Sequence, residues 1–130
     1  MRICRVLALL GAAYAVAGCG ATPSQDVQAK LQQFAHAVAQ RDPATLCRQV
    51  LDPTLVAHLR SAGLSCESAM QTFVQSVADP TLSVSKVTVS GKTASAVVLS
   101  GARGQTPSLE KVGLVQTPHG WRLTSLAAPR

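Results

Sequence analysis

Hydrophobic positions along this chain fall into three textures. Residues 6–17 form an almost unbroken apolar run behind a basic start at Arg2 and Arg5. Between Gln25 and Val77, apolar residues recur at spacings of three and four, which lays them along one face of a helix. From Leu82 onward, β-branched residues alternate with polar ones between closely spaced turns, as half-buried strands do.

Val27, Leu31, Phe34 and Val38 mark the first helix, which should stop near Arg41. Asp42-Pro43 and Asp52-Pro53 each set an N-cap acid before a proline at the first helical position. They predict one short helix carrying Leu46, Cys47 and Val50, and another with Leu55, Val56 and Leu59 inward and Gly63 closing it. Ser65 caps a further helix bearing Ala69, Met70, Phe73, Val74 and Val77, and Asp79-Pro80 ends the helical half. Strands are predicted at 82–89, 93–100, 109–116 and 121–126. Ser90-Gly91-Lys92, a loop over 101–107 and the turn Thr117-Pro118-His119-Gly120 connect them. Connections this short pair neighbouring strands antiparallel. Helices ahead of such a meander give an α+β fold, with the helices on one face of a sheet of about four strands.

The apolar run is too short for a membrane span, which takes roughly 20 residues as a helix. A basic start, an apolar middle and small residues at the end make the layout of a secretory signal. The segment Val16-Ala17-Gly18-Cys19 resembles the lipobox of bacterial lipoproteins. That resemblance implies cleavage before Cys19 and a diacylglyceryl group on its thiol. The protein would then be anchored on the extracytoplasmic side of the cell membrane or envelope, where two acyl chains hold stably and one does not. An ordinary secretory signal with a coincidental cysteine is the competing reading. The expected organisation is a signal peptide over 1–18, a lipidated N-terminus and tether over 19–24, and a single domain over 25–130.

Arg2 and Arg5 leave with the signal, so the twelve basic residues fall to ten against six acidic ones, a net charge of +4. No run of adjacent lysines or arginines exists, and Phe34, Phe73 and Trp121 are too few for base stacking, so nucleic acid is not an expected partner. A mild positive charge on a tethered domain suits anionic headgroups. Cys4 is lost with the signal and Cys19 goes to the lipid, which leaves Cys47 and Cys66 to pair in a compartment where disulfides persist. A metal pair or a reactive thiol is less well supported: there is no CxxC, and no histidine lies three or four residues from either cysteine.

The run Phe34-Ala35-His36-Ala37-Val38-Ala39-Gln40-Arg41-Asp42, then Cys47, then Ser65-Cys66-Glu67, and finally Gly120-Trp121-Arg122-Leu123 after a hairpin, resembles small bacterial lipoproteins of the nuclear-transport-factor-2-like superfamily. The resemblance implies a cone, with helices packed into a bent antiparallel sheet that often encloses a pocket. Phe34, His36, Val38, Leu59, Phe73 and Trp121 are the candidate pocket-lining residues. With four strands where the fold often has more, the cone is expected to be shallow or filled.

Enzymes on this scaffold use carboxylates and histidines inside the cone, shielded and tuned by burial. Here Asp42, Asp52 and Asp79 adjoin prolines as cap or turn residues, while Asp26 and Glu67 open helices, where a carboxylate favours the dipole. Glu110 sits early in a strand beside Lys111. His36, His58 and His119 match no zinc spacing. Gly101-Ala102-Arg103-Gly104 lacks the strand–loop–helix context and the Lys-Ser/Thr pair of a phosphate loop. No catalytic residue, metal or cofactor is therefore expected. The expectation is a non-catalytic module that holds an apolar ligand or meets an envelope protein. A purely structural lipoprotein and a small acid/base enzyme remain the alternatives.

Overall fold

The computed structural model describes residues 20–126. The expected signal peptide over 1–18, with Cys4, and the expected lipidation site Cys19 lie outside them, as do residues 127–130.

Helix α1 (Pro23–Ala39) opens on a reciprocal cap. The Gln25 N–H donates to the Thr22 hydroxyl at 3.3 Å, and the Thr22 N–H donates to Gln25 Oε1 at 3.0 Å. Thr22-Pro23 thus starts the helix two residues earlier than expected, so Pro23 and Ser24 belong to it and not to a tether. Val27, Leu31, Phe34, Ala37 and Val38 form its buried face. The helix ends on Arg41, which takes the left-handed conformation at φ +52° while the Asp42 N–H reaches back to the Ala37 carbonyl at 2.9 Å.

Asp42 caps α2 (Pro43–Thr45), which runs into a π-helical turn over Leu46–Val50 where a plain α-helix was expected. The Leu51 N–H closes this turn onto the Leu46 carbonyl at 2.9 Å, and Leu46, Val50 and Leu51 all reach the core. Asp52 precedes α3 (Pro53–Ser61), but its side chain makes no capping bond. Its N–H instead donates to the Leu123 carbonyl at 2.8 Å, and Leu51 bridges Leu123 in parallel, so this Asp-Pro pair hooks the helical half onto the sheet. Gly63, at φ +79°, ends α3 as the sequence suggested, with the Leu64 N–H bonded to the Leu59 carbonyl at 2.9 Å. Helix α4 (Cys66–Ser76) is capped by Ser65. Asp79, also left-handed at φ +46°, swings the chain into the sheet and pairs with Arg103 of the 101–107 loop.

The sheet is an antiparallel meander in the order β1 (Thr81–Ser90), β2 (Thr93–Gly101), β3 (Ser108–Thr117), β4 (Gly120–Leu123). The register of β1 shifts between Val84 and Lys86. The extra residue keeps Leu82 and Val84 on the same face as Val87 and Val89, so all four meet the core. β4 is shorter than the predicted 121–126. After Leu123 the chain crosses over Gly113: the Thr124 N–H bonds the Gly113 carbonyl at 2.9 Å, and the Ser125 hydroxyl accepts from the Gly113 N–H at 3.0 Å. A Cβ on Gly113 would come within 2.7 Å of Thr124 Oγ1, which is why a residue without one sits there.

The α1 face, the π turn, Met70 and Val74 of α4, and the inner sheet residues Ala96, Val98, Val112, Leu114 and Leu123 make one core. Ser100 is the single buried polar residue among those described. A disulfide joins Cys47 in the π turn to Cys66, the first residue of α4. The result is α+β, with helices laid on a four-stranded antiparallel sheet.

Candidate functional site

Two concavities are candidates, one inside the fold and one outside it. The inner one lies between α1, α4 and the start of β1, where Phe34, Val38, Phe73 and Val77 face Leu82 and Ser100. Phe34 and Phe73 stack with ring centroids 6.4 Å apart. The space left is about 30 Å³, room for no more than a few water molecules. An apolar ligand of ordinary size, which needs a few hundred Å³, has no room there.

Three of the six candidate pocket residues line this crevice and three do not. Phe34, Val38 and Phe73 are at its wall. Trp121 is 4% exposed and spent on the core. His36 is exposed: two residues on from Phe34, at about 100° per residue, it points away from the sheet. Leu59 is half-buried and packs on the core from α3 without reaching the crevice.

Among the described residues, no acid or histidine lines this crevice. Asp26 is exposed in the first turn of α1, and Glu67, in the first turn of α4, lies 3.6 Å from Arg48. Glu110 accepts a hydrogen bond from the Ser108 hydroxyl at 3.1 Å. Asp42 is held below the usual carboxylate range by the Thr45 hydroxyl, which donates at 2.7 Å, and by the Thr45 N–H at 3.0 Å. His58 and His119 are exposed. Among the described residues no three His, Cys, Asp or Glu side chains are grouped to hold a metal, and no helix is long and apolar enough to cross a membrane.

The outer concavity was not visible in the sequence. It is a crevice of about 600 Å³ beside β4. One wall is a single face of α3: Pro53, Val56, Ala57 and Arg60, at the i, i+3, i+4, i+7 spacing. The turn Thr117-Pro118-His119 with Arg122, and Cys47, Arg48 and Leu51, complete the lining. Three arginines thus converge from segments that are distant in the chain. Val56, expected to point inward, gives part of its surface to this wall while still packing on the core.

Hydrogen bonds fix the arginine end of the crevice. The Arg122 Nη1 group donates to the Arg48 carbonyl at 2.8 Å, and the Lys30 ammonium donates to the Gln49 carbonyl at 2.9 Å. Both cations therefore satisfy carbonyls at the C-terminal end of the π turn, where positive charge is favoured. Gln33 braces the same end through Gln49 at 2.9 Å. Burial, and then the nearby Arg122 guanidinium, lower the Lys30 pKa from the ordinary lysine value. The Arg122 Nε is buried and meets no hydrogen-bond partner among the described residues.

No family model and no curated protein matches the chain. Among solved structures, it resembles a nuclear-transport-factor-2-like protein of unknown function from Silicibacter pomeroyi, with a TM-score of 0.53 and 14% identity over 76% of this chain and 87% of that one. A protein from Streptomyces avermitilis, provisionally described as a dehydratase of the same family, gives a TM-score of 0.53 and 18% identity over 78% and 93%. A protein from Kribbella flavida gives 0.52 and 16% over 76% and 84%. At these identities the likeness shows the fold, which is nuclear-transport-factor-2-like, and nothing of the chemistry.

Proposed function

We propose that this chain is a lipid-anchored, extracytoplasmic module without catalytic chemistry, in which the cone serves as a rigid scaffold and the outer surface makes the contacts. The observation that carries this reading is the filled interior. Its walls are mostly apolar and its free volume is about 30 Å³, while the acids of the described domain sit at helix starts, in turns or in exposed pairs, apart from Glu110, which lies in β3 and accepts from Ser108. A general acid or base needs a shielded position beside a substrate, and this interior offers no space for one. The likeness to the Streptomyces avermitilis protein, at 18% identity, is one of fold alone.

The anchor is read from Val16-Ala17-Gly18-Cys19. Only residues 20–22 separate Cys19 from the first helical residue, Pro23, so the tether reaches about 14 Å at most. On this reading the domain lies against the bilayer, where a net charge of +4 favours anionic headgroups. A purely structural envelope lipoprotein is the second reading, and the same filled interior serves it; the two part on whether the outer surface takes a ligand.

The test is Cys19→Ser in the full chain, with fractionation of cells and intact mass of the wild-type product. The substitution should move the protein to the soluble fraction. The wild-type mass should match cleavage before Cys19 plus acyl groups. A wild-type product that retains its leader or carries no acyl group defeats the reading.

A further inference from the structure

We infer that the crevice between α3 and β4 is a binding site for an amphiphilic anion, an oxyanion head on a short apolar stem. The inference rests on the reading of the chain as a binding module and adds the ligand class. Three features of the crevice converge on it. The first is charge. Arg48, Arg60, Arg122 and His119 line it, and no acid does. Arg60 and Arg122 make no ion pair among the described residues. Arg48 has Glu67 at 3.6 Å, but both side chains are more than half exposed, and such pairs contribute about 1 kcal/mol or less. Asp52, beside Pro53, is the other acid close to the walls, and two carboxylates do not balance three guanidinium groups.

The second feature is the lining between those cations. Leu51, Pro53, Val56 and Ala57 offer apolar surface alongside the arginines. A small inorganic anion would leave that surface wet, whereas an alkyl stem would cover it at about 25 cal/mol per Å². The volume, about 600 Å³, lies within the range of small-molecule sites.

The third feature is preorganisation. Arg122 is held in place by its bond to the Arg48 carbonyl. A planar oxyanion suits the guanidinium fork so positioned. Because the site lies outside the cone, the filled interior places no limit on it.

The experiment is calorimetric titration of the full chain carrying Cys19→Ser, so that its own lipid cannot compete. The probes are dodecanoate below its aggregation limit, inorganic phosphate, and octyl glucoside as a neutral amphiphile. Dodecanoate should bind saturably with one site, and the other two should not. Arg60→Glu, an exposed change that leaves the Arg122 bond intact, should weaken dodecanoate about tenfold or more while leaving the urea midpoint in place. Equal affinity in wild type and Arg60→Glu would overturn the site. Saturation by octyl glucoside or by phosphate alone would overturn the ligand class. Association only with phosphatidylglycerol vesicles, without binding of monomeric dodecanoate, would overturn it in favour of a bilayer contact. The Cys19→Ser fractionation is independent of all these outcomes, so failure of the site and failure of the anchor can be told apart.

Discussion

The disulfide offers a quantitative test of how the helical half is held. Replacing Cys47 and Cys66 together by alanine leaves the α4 cap at Ser65 and the core contacts of Leu46 and Val50 in place. It releases a chain segment whose ends are 19 residues apart. In the chain-entropy model a loop of that length restricts the unfolded ensemble by about 11 cal/mol/K, or about 3 kcal/mol at 25 °C. A domain of this size has about 5–15 kcal/mol in total, so the loss is a large share. Trp121 is the chain's single tryptophan and is 4% exposed, so its fluorescence reports global unfolding in urea. With an m-value of about 1.5 kcal/mol/M, the midpoint should fall by about 2 M. The m-value itself should rise, because the uncrosslinked chain exposes more surface when unfolded. A midpoint shift below about 0.5 M with unchanged m would refute the reasoning. It would mean that the unfolded chain already keeps the π turn and α4 together.

Two further outcomes follow from local geometry. Gly113→Ala should cost about 1–2 kcal/mol, because its Cβ meets Thr124 Oγ1 at 2.7 Å. Adding Thr124→Ala should recover most of that loss, and strict additivity in the double-mutant cycle would show that the contact is not the cause. Asp42, whose carboxyl is held below its ordinary value of 3.8 by the Thr45 hydroxyl and N–H, should stabilise the fold fully above that pH and lose its contribution as pH falls through the lower folded value. Asp42→Asn caps without titrating, so urea midpoints of wild type and variant should diverge below pH 3.8, and parallel curves would count against the cap.

Much of the architecture was legible because local chemistry and tertiary packing agree. The 3.6-residue stripe of α1 became its buried face, the left-handed Gly63 ended α3, and Ser90-Gly91-Lys92 turned β1 into β2. The α+β arrangement followed from those pieces. What escaped depends on contacts between distant segments. The π turn answers to the need to bring Leu46, Val50 and Leu51 into one core, which no spacing rule within five residues announces. β4 stops early because Thr124 crosses Gly113, eleven residues back on another strand. His36 resembled a pocket residue by family likeness, but its helical phase turns it to solvent. The crevice was hidden because Arg48, Arg60 and Arg122 look like scattered surface charges until α3 and β4 bring them to one place.

The bridge between Leu51 and Leu123 bears on the order of assembly. Each hairpin of the meander can zip on its own, since its strands are neighbours in the chain. The stitch that joins the two halves needs the last strand. Threaded outward from its N-terminus, as the proposed export requires, the polypeptide would present its helices first with their greasy stripe uncovered. It could not lock until residue 123 had come through.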